Sequence, residues 1–377
     1  MSVRIVFVMW GTERTGGTNA IFNVADRLAE FGHDVVIVSA GAKNHSWFYF
    51  KNNVEFYYPE EELCAHIKIG KRYFSTIAIL DFLLRKVNIF IDRHKILVDY
   101  LDKIQNNPDV FIATFFETAF AVNRLKSEVP MKFYYIQHFE SVFFNDTYSK
   151  KRVHETYFFP FKWIISSSWA NSRLLDLTSK SGNVVIPGID TSVYYPRHVE
   201  KDKNHKIIVS LGKSMKIKGI KYLFEALNKI SRQIPDIKLI LYGIEPNLKK
   251  LSPVTTEYII SPSNDRLAEL YSMADVVVTP SLYESSPSPP IEAMACGAPV
   301  VTTIFGTEDY CFDGSNSIVV RPEDSDALAD AILRILSDRF LADKIRENGL
   351  KTSKELSWNS TAQNFEKILN ETIRRNL

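Results

Sequence analysis

The chain begins with an apolar run, a loop, an amphipathic segment and a second apolar run, and this order constrains its fold more than any other feature. Val3–Met9 is apolar throughout after Arg4, and Asp34–Ser39 is apolar between its ends. Continuous apolar strands of this kind are buried on both faces, as in parallel sheets. Thr18–Phe31 lies between them and gathers its apolar side chains on one helical face. This strand–helix–strand unit predicts a parallel sheet with helices on both faces.

The alternation of predicted strands and helices continues along the chain, is interrupted once and then resumes. A proline and the polar run from His198 to Lys206 separate the two stretches. The break predicts two doubly wound, Rossmann-like α/β domains, residues 1–190 and 191–357. In such folds ligands bind at the carboxyl ends of the strands, so we expect a site in a cleft between the domains. The further predicted strands are Asp109–Thr114, Lys132–Gln137, Trp163–Ser168, Asn183–Pro187, Ile207–Leu211, Asp236–Tyr242, Asp275–Thr279, Pro299–Thr303 and Ile318–Val320, and the further helices are Gly219–Ile234, Leu267–Met273, Pro289–Cys296 and Asp326–Leu336.

Charge, cysteines and hydropathy exclude several other classes of protein. A net charge of +2 over 377 residues gives no support for nucleic-acid binding. Cys64, Cys296 and Cys311 are odd in number and fit neither a zinc site nor a disulfide framework, so we expect reduced thiols. No run of about 18 apolar residues is present, and Met1–Trp10 is too short for a signal-peptide core. We therefore expect a cytoplasmic protein.

Two carboxylates bracket a proline-rich loop in the second half of the chain. Glu284 and Glu292 stand eight residues apart, the first after a predicted strand and the second in the first turns of a predicted helix. Prolines stiffen the loop between them. Carboxylates held in this way accept hydrogen bonds from sugar hydroxyls, and a helix N-terminus offers N–H groups to a diphosphate. The alternative is that Glu292 only stabilises the helix start while Glu284 is solvated.

A second candidate feature is the loop after the strand Ile207–Leu211. Gly212 and Lys213 open this loop, and Lys218 and Gly219 close it before the next helix. Two cations at a strand-to-helix turn suit a diphosphate as point charges. A solvated basic loop is the alternative.

The first domain offers weaker signals. Gly16 and Gly17 lie between the first strand and helix, where glycine lets the backbone approach a ligand closely. The fingerprint G-x-G-x-x-G is absent, and no acidic residue ends the second strand, so a nicotinamide dehydrogenase fits poorly. His138 follows a predicted strand, where it is placed either to contact a substrate or to form a structural hydrogen bond.

Together these segments resemble the GT-B glycosyltransferases of family 4. The E-x7-E pattern appears as Glu284 to Glu292 and is followed by AMACGAPVV, and the G-R-x4-K-G segment appears as Gly212 to Gly219 with Lys213 in place of arginine. GHDV at 32–35 and IPGID at 186–190 also match. The segment YYIQHFES most resembles the corresponding segment of rhamnosyltransferase-like members of that family. The resemblance implies that residues 358–377 form a C-terminal helix returning to the N-terminal domain.

The resemblance also implies a role for each candidate residue. Glu292 is expected to bind the ribose and Glu284 the donor sugar, while Lys213 and Lys218, beside Gly212, hold the diphosphate. Gly16 and Gly17 would let the first domain approach that diphosphate, and His138 would lie near the reacting face of the sugar.

The proline-rich loop departs from the family pattern. Its two usual glycines are Ser285 and Pro287 in this chain, and proline has no N–H to offer a phosphate. Ser286 and Ser288 are expected to supply hydroxyl groups instead, next to Pro289. This difference from the family pattern is expected to affect which donor sugar binds more than which reaction is catalysed.

The implied activity is a retaining transfer of a hexose or deoxyhexose from a nucleoside-diphosphate sugar to a glycan or lipid-linked acceptor. No metal and no cofactor are expected. Asp324-Ser325-Asp326 matches the D-x-D of another glycosyltransferase fold by letters only, because it opens a predicted helix where aspartates cap N–H groups. The alternatives are a sugar-nucleotide epimerase or a phosphorylase on the same fold, and a non-catalytic nucleotide-sugar-binding partner of another enzyme.

The stretch Ile67–Leu97 mixes lysine and arginine with aromatic and aliphatic residues. Such a segment could form amphipathic helices on an anionic membrane surface, at the inner face of the cell membrane, or an ordinary helix pair covering the first sheet.

Overall fold

The computed structural model describes residues 2–41, 43–59, 66–69, 72–75, 93–103, 108–125 and 131–376. The chain divides into two compact units. The first contains Met1–Ser166, Ala170–Val185 and Ala362–Leu377, and the second contains Ser167–Trp169 and Ile186–Thr361.

The first unit is built on a seven-stranded parallel sheet in the order β3-β2-β1-β6-β7-β8-β9. The inner strands are buried along almost their whole length, which explains their unbroken apolar sequences. This confirms the parallel sheet predicted from the first forty residues. Its elements are β1 (Arg4–Met9), α1 (Gly16–Glu30), β2 (Asp34–Ser39), β3 (Val54–Tyr57), β4 (His66–Ile69), β5 (Arg72–Ser75), α2 (Arg93–Leu101), β6 (Val110–Ala113), α3 (Phe116–Arg124), β7 (Met131–Ile136), α4 (Thr147–Thr156), β8 (Lys162–Ile165), α5 (Ser168–Thr178) and β9 (Asn183–Val184).

The second unit is built on a six-stranded parallel sheet in the order β12-β11-β10-β13-β14-β15. Along β13, Val276 and Val278 belong to one buried cluster and Val277 to another, so both faces of the sheet are covered. This is the doubly wound arrangement predicted for the second half. Its elements are β10 (Lys206–Leu211), α6 (Ile220–Ile230), β11 (Ile237–Gly243), β12 (Thr255–Ile260), α7 (Asn264–Met273), β13 (Val276–Thr279), α8 (Ser288–Ala295), β14 (Val300–Thr303), β15 (Ile318–Val320), α9 (Ser325–Ser337) and α10 (Arg339–Glu355).

The last helix, α11 (Trp358–Asn376), ends in the first unit. Phe365 is fully buried there, with its ring 6.0 Å from that of Phe7 and 5.3 Å from that of Tyr135. His33 accepts the amide hydrogen of Val3 on Nδ1, and its Nε2 lies 3.1 Å from a carboxylate oxygen of Glu366. An aromatic core contact and a polar contact therefore fix α11 against the first sheet.

Among the described residues, the sequence missed the strands of the β4–β5 hairpin and two strands at the edges of the main sheets. β3 and β12 pair with one neighbour each, and their residues alternate between more and less exposed. These two edge strands lack the continuous apolar run of an inner strand because they are partly exposed to solvent.

Several predicted boundaries differ from the structure, and two of the differences have clear local reasons. The predicted strand Trp163–Ser168 ends at Ile165, because Ser168 is already the first residue of α5. The predicted helix Gly219–Ile234 covers only Ile220–Ile230. Gly219 has a φ of +66°, outside the helical region, and Pro235 disfavours helical geometry in the residue before it.

The expectation of helices over Ile67–Leu97 is wrong for its first residues. Strands β4 and β5 pair there as an antiparallel hairpin, with Lys68 opposite Tyr73. The alternation of apolar and charged residues around Lys68 has the period of two that suits a strand. Residues 76–92 lie outside the described residues.

Cys296 and Cys311 are buried free thiols, as expected, and Cys64 lies outside the described residues. Burial raises the pKa of the Cys296 thiol to about 12. Within the described ranges, no helix has the length and apolar content needed to cross a membrane.

Candidate functional site

The predicted donor residues lie on loops that leave one edge of the second sheet. Because all six strands are parallel, the loops after β10, β13 and β14 emerge at the same edge. The first carries Gly212, Lys213 and Lys218, and the second carries Glu284. The sheet therefore collects residues that are far apart in sequence, at the edge where doubly wound folds bind ligands.

The centre of this edge is an ion pair between Lys218 and Glu284. The Lys218 ammonium donates to Oε1 of Glu284, and the Ser281 hydroxyl donates to the same oxygen at 3.0 Å. The side chains are 20% and 12% exposed, so the pair is only partly screened by water. The sequence identified both charged residues but not their contact.

Backbone geometry places Lys218 opposite the loop that carries Glu284. Lys218 closes a 3₁₀ turn, Lys216–Lys218, and Gly219 follows with a φ of +66°. A Cβ at Gly219 would lie 1.8 Å from the carbonyl oxygen of Pro280. Leu282 N–H donates to the carbonyl of Ile217 at 2.7 Å, which links the two loops directly. Only glycine allows this approach.

Tyr258 of the edge strand β12 fixes the start of the Gly212 loop. Its hydroxyl donates to the carbonyl of Gly212 at 2.7 Å and accepts the amide hydrogen of Glu245 at 2.8 Å. Hydrogen bonds from Ser214, and secondarily the charge of Lys213, lower the pKa of Glu245. Lys213 is half-buried beside this group.

The proline-rich loop leads directly into α8. Pro287 is the N-cap and Ser288 the first helical residue, followed by Pro289 and Pro290. Two of the first three helical residues therefore have no N–H. This helix start therefore offers fewer N–H groups to a ligand than a helix start without prolines. Ser286 is half-buried and Ser288 is exposed.

Glu292 lies in α8 and is half-buried. The Tyr271 hydroxyl of α7 donates to Oε2 of Glu292 at 3.1 Å. The Tyr242 hydroxyl at the end of β11 lies 2.7 Å from the Tyr271 hydroxyl. Three side chains from three elements thus form one hydrogen-bonded row.

Asp324 caps α9, since its Oδ1 accepts the amide hydrogen of Ala327 at 2.9 Å. Asp326 pairs with Lys229. The capping interpretation of the D-x-D letters is therefore confirmed. Across the part of the chain that is described, no cluster of three or more His, Cys, Asp or Glu residues could hold a metal ion.

In the first unit, the glycine loop meets the segment after β7. Thr15 caps α1 by accepting the amide hydrogen of Thr18 at 3.1 Å. The Gln137 side-chain amide donates to the carbonyl of Gly17 at 3.0 Å, and a Cβ at Gly17 would lie 2.3 Å from Gln137 Oε1. A Cβ at Gly16 would meet nothing within 4 Å. A Cβ at Gly17 would therefore force the Gln137 side chain to move, whereas Gly16 has open space around it.

His138 follows Gln137 and is half-buried. Its Nδ1 lies 3.3 Å from the carbonyl oxygen of Phe139, and its ring lies 4.7 Å from that of Phe143. The structure brings His138, Gln137 and Gly17 to the same edge of the first sheet.

Glu140 anchors the segment that carries His138. Its carboxylate accepts the Tyr134 hydroxyl and the Phe116 amide, each at 2.8 Å, and its own amide donates to the Tyr157 hydroxyl at 2.9 Å. Burial raises the pKa of Glu140 to about 8, despite these donors. Sequence reasoning missed this role, because nothing local marks a glutamate as buried.

The fold identifies the class of protein. Sucrose-phosphate synthase from Thermosynechococcus elongatus superposes with a TM-score of 0.77 at 18% identity, covering 99% of this chain and 100% of that chain. The Anabaena protein HepE, solved in complex with UDP and glucose, gives 0.73 at 17% identity, covering 98% and 100%. This chain therefore has the two Rossmann-like domains of the GT-B fold.

The sequence comparisons concern mainly the second half of the chain. Residues 195–352 match the family model described as Glycosyl transferases group 1. That stretch contains Lys218, Glu284 and Glu292, so the ion pair and the Tyr271 contact lie inside the part of the chain that matches this family model. This match supports the resemblance to the family-4 type.

Among curated proteins, MMP alpha-(1->4)-mannosyltransferase from Mycolicibacterium hassiacum is 30% identical over 224 residues, which cover 56% of this chain and 54% of that protein. The chain spans about half the length of the first curated relatives it matches, with 54% and 51% covered.

Proposed function

We propose that this chain is a retaining glycosyltransferase. It moves a hexose or deoxyhexose from a nucleoside-diphosphate sugar to a glycan or lipid-linked acceptor, without a metal or cofactor. One observation carries the proposal: Lys218 pairs with Glu284 at the strand ends of a glycosyl transferases group 1 domain. The named activity of the mannosyltransferase relative and the UDP and glucose bound to HepE give further support.

The ion pair suggests how the donor is received. An incoming diphosphate is a stronger partner for the Lys218 ammonium than one carboxylate, because it presents more negative charge. As Lys218 turns to the diphosphate, Glu284 becomes available to the hydroxyls of the sugar. Lys213 adds a second cation on the same loop. Glu292 binds the ribose hydroxyls in this proposal.

The reaction requires stabilisation of the negative charge on the leaving diphosphate more than it requires an acidic side chain as a proton donor. The bond from the anomeric carbon to the phosphate oxygen breaks, and the acceptor oxygen bonds to that carbon on the same face. The acceptor proton passes to the departing phosphate oxygen. Lys213 and Lys218 stabilise the negative charge that develops there, which is electrostatic catalysis by preorganised charges. His138 is proposed to lie near the reacting face of the sugar.

The test combines nucleotide-sugar binding with turnover. In a thermal-shift panel of UDP, GDP, ADP and dTDP sugars, the cognate donor should raise the melting temperature with the logarithm of its concentration. Glu292→Ala should abolish that shift while the protein stays folded. Glu347→Ala, at an exposed position of α10, is the matched control and should behave as the wild type. Normal turnover by Glu292→Ala would contradict the role of Glu292.

A non-catalytic nucleotide-sugar-binding protein is the second candidate. The observation that favours it is the pair of prolines in the first turn of α8, which removes N–H donors from the site. Purified protein that slowly hydrolyses its donor sugar would exclude this alternative, since hydrolysis requires cleavage of the anomeric bond.

The composition of 67–97 also supports a proposal of peripheral binding to anionic membranes. Liposome co-sedimentation at low salt should be positive with anionic lipids and negative with neutral lipids. Absence of binding to both would reject it.

A further inference from the structure

Tyr271 connects the interior of the second unit to Glu292. Its ring is fully buried, 6.0 Å from the ring of Tyr242 in an edge-to-face arrangement and 6.5 Å from that of Tyr194. Its hydroxyl donates to Glu292 of the candidate site at 3.1 Å. The ring belongs to the core and the hydroxyl to the site.

The hydrogen bonds in this row have a defined direction. The Tyr271 hydroxyl is the donor and the Glu292 carboxylate the acceptor, so the proton of Tyr271 points at Glu292. The Tyr271 oxygen can then accept the proton of Tyr242, 2.7 Å away. Tyr242 therefore orients the Tyr271 hydroxyl, and Tyr271 orients the carboxylate.

Both phenols remain donors at neutral pH. Burial, with the negative charge of Glu292 as a further cause, raises the pKa of Tyr242 and of Tyr271 well above the usual range of a tyrosine. The hydroxyl groups of Tyr242 and Tyr271 therefore both stay protonated.

We infer that Tyr271 is a positioning residue that sets the Glu292 carboxylate for the two hydroxyls of the donor ribose, with Tyr242 fixing the direction of the Tyr271 proton. The inference rests on the proposed function. Recognition of a diol requires a carboxylate held in one orientation, because both hydroxyls must reach it together. A glutamate has three rotatable bonds, and a fixed donor on Oε2 restricts them.

The test measures preference for ribose over 2′-deoxyribose. UDP, GDP and their 2′-deoxy counterparts are titrated against the full chain by calorimetry. We expect the wild type to bind the ribonucleotide about tenfold or more tightly, the scale of one charge-assisted hydrogen bond. Tyr271→Phe keeps the buried ring and removes the hydroxyl, so the ratio should fall to roughly twofold or less. Tyr242→Phe, which removes the hydroxyl that is hydrogen-bonded to Tyr271, should give an intermediate ratio.

Tyr222→Phe is the matched control. The Tyr222 hydroxyl also donates to a carboxylate, that of Glu323 at 3.0 Å, but on the protein surface. Its removal should leave the ribose preference unchanged. A thermal melt of each variant accompanies the titrations, and loss of fold would lower affinity for both sugars without changing their ratio in the folded fraction.

The outcomes separate the inference from the proposed function. If Glu292→Gln removes the ribose preference and Tyr271→Phe does not, the positioning role is wrong and the proposed site stands. If Glu292→Gln keeps the preference, the ribose role of Glu292 fails and the inference with it. A wild type that binds ribose and deoxyribose forms alike, or binds none of these nucleotides, overturns the inference as well.

Discussion

Gly306 lies against the backbone of Glu284. A Cβ built at Gly306 would come within 2.2 Å of the Glu284 carbonyl oxygen and 2.5 Å of its carbonyl carbon. The φ of Gly306 is +86°, so the backbone conformation also favours glycine. The loop after β14 therefore packs directly against the loop that carries Glu284. Only glycine permits this close approach.

This contact predicts that Gly306→Ala displaces Glu284. Gly314→Ala is the matched control, because Gly314 has a φ of +66° but no neighbour within 4 Å of its Cβ position. The control should cost about 1–2 kcal/mol of unfolding free energy from backbone strain alone. Gly306→Ala should cost more and also weaken donor binding roughly tenfold or more, since the lost contacts are charge-assisted. Urea unfolding and donor titration measure the two effects, and equal losses in both variants would contradict the contact.

Lys218→Gln should remove a charge that the leaving diphosphate needs. We expect kcat/KM for the donor to fall by about 10²–10³, the scale for losing one preorganised electrostatic group. Lys221→Gln is the control, because Lys221 is 77% exposed and its carboxylate partner, Glu225, lies 3.6 Å away on the surface. Steady-state kinetics at varied donor concentration measure kcat/KM for both variants. Similar losses in both would show that the overall charge of the protein matters, and not the position of Lys218.

Glu140 predicts a pH dependence of stability. Burial raises its pKa from the ordinary 4.5 to about 8 in the folded protein, so between these values the folded state binds more protons than the unfolded state. Its contribution to stability is fully present below pH 4.5 and is lost as the pH rises toward 8. Glu140→Gln should therefore give a shallower fall of unfolding free energy between pH 5 and 8. Parallel slopes for the wild type and the variant in urea unfolding would contradict the raised pKa.

Phe365 predicts how firmly α11 is held. Its ring is fully buried against Phe7 and Tyr135, so Phe365→Ala should destabilise the chain by about 3–5 kcal/mol. Phe340→Ala, at a residue that is 83% exposed, should change stability by about 0.5 kcal/mol or less. Calorimetric melts compare the two, and a small effect at Phe365 would mean that α11 contributes little to the first unit.

The sequence by itself determined the inner strands, because a strand buried on both faces must be apolar along its whole length. β1, β2 and β10 lie where the apolar runs place them. It also determined that Lys218 and Glu284 lie in loops that follow strands and that Glu292 lies in the helix after the second of these loops.

Tertiary structure alone decided which residues touch. Lys218 and Glu284 are 66 positions apart, and Tyr271 and Glu292 are 21 apart. The edge strand β12 was missed, and with it Tyr258, which fixes the Gly212 loop. The physical reason is the range of the information: hydrophobic periodicity reports on a few neighbouring residues, whereas strand order and close glycine contacts depend on how the whole sheet is assembled.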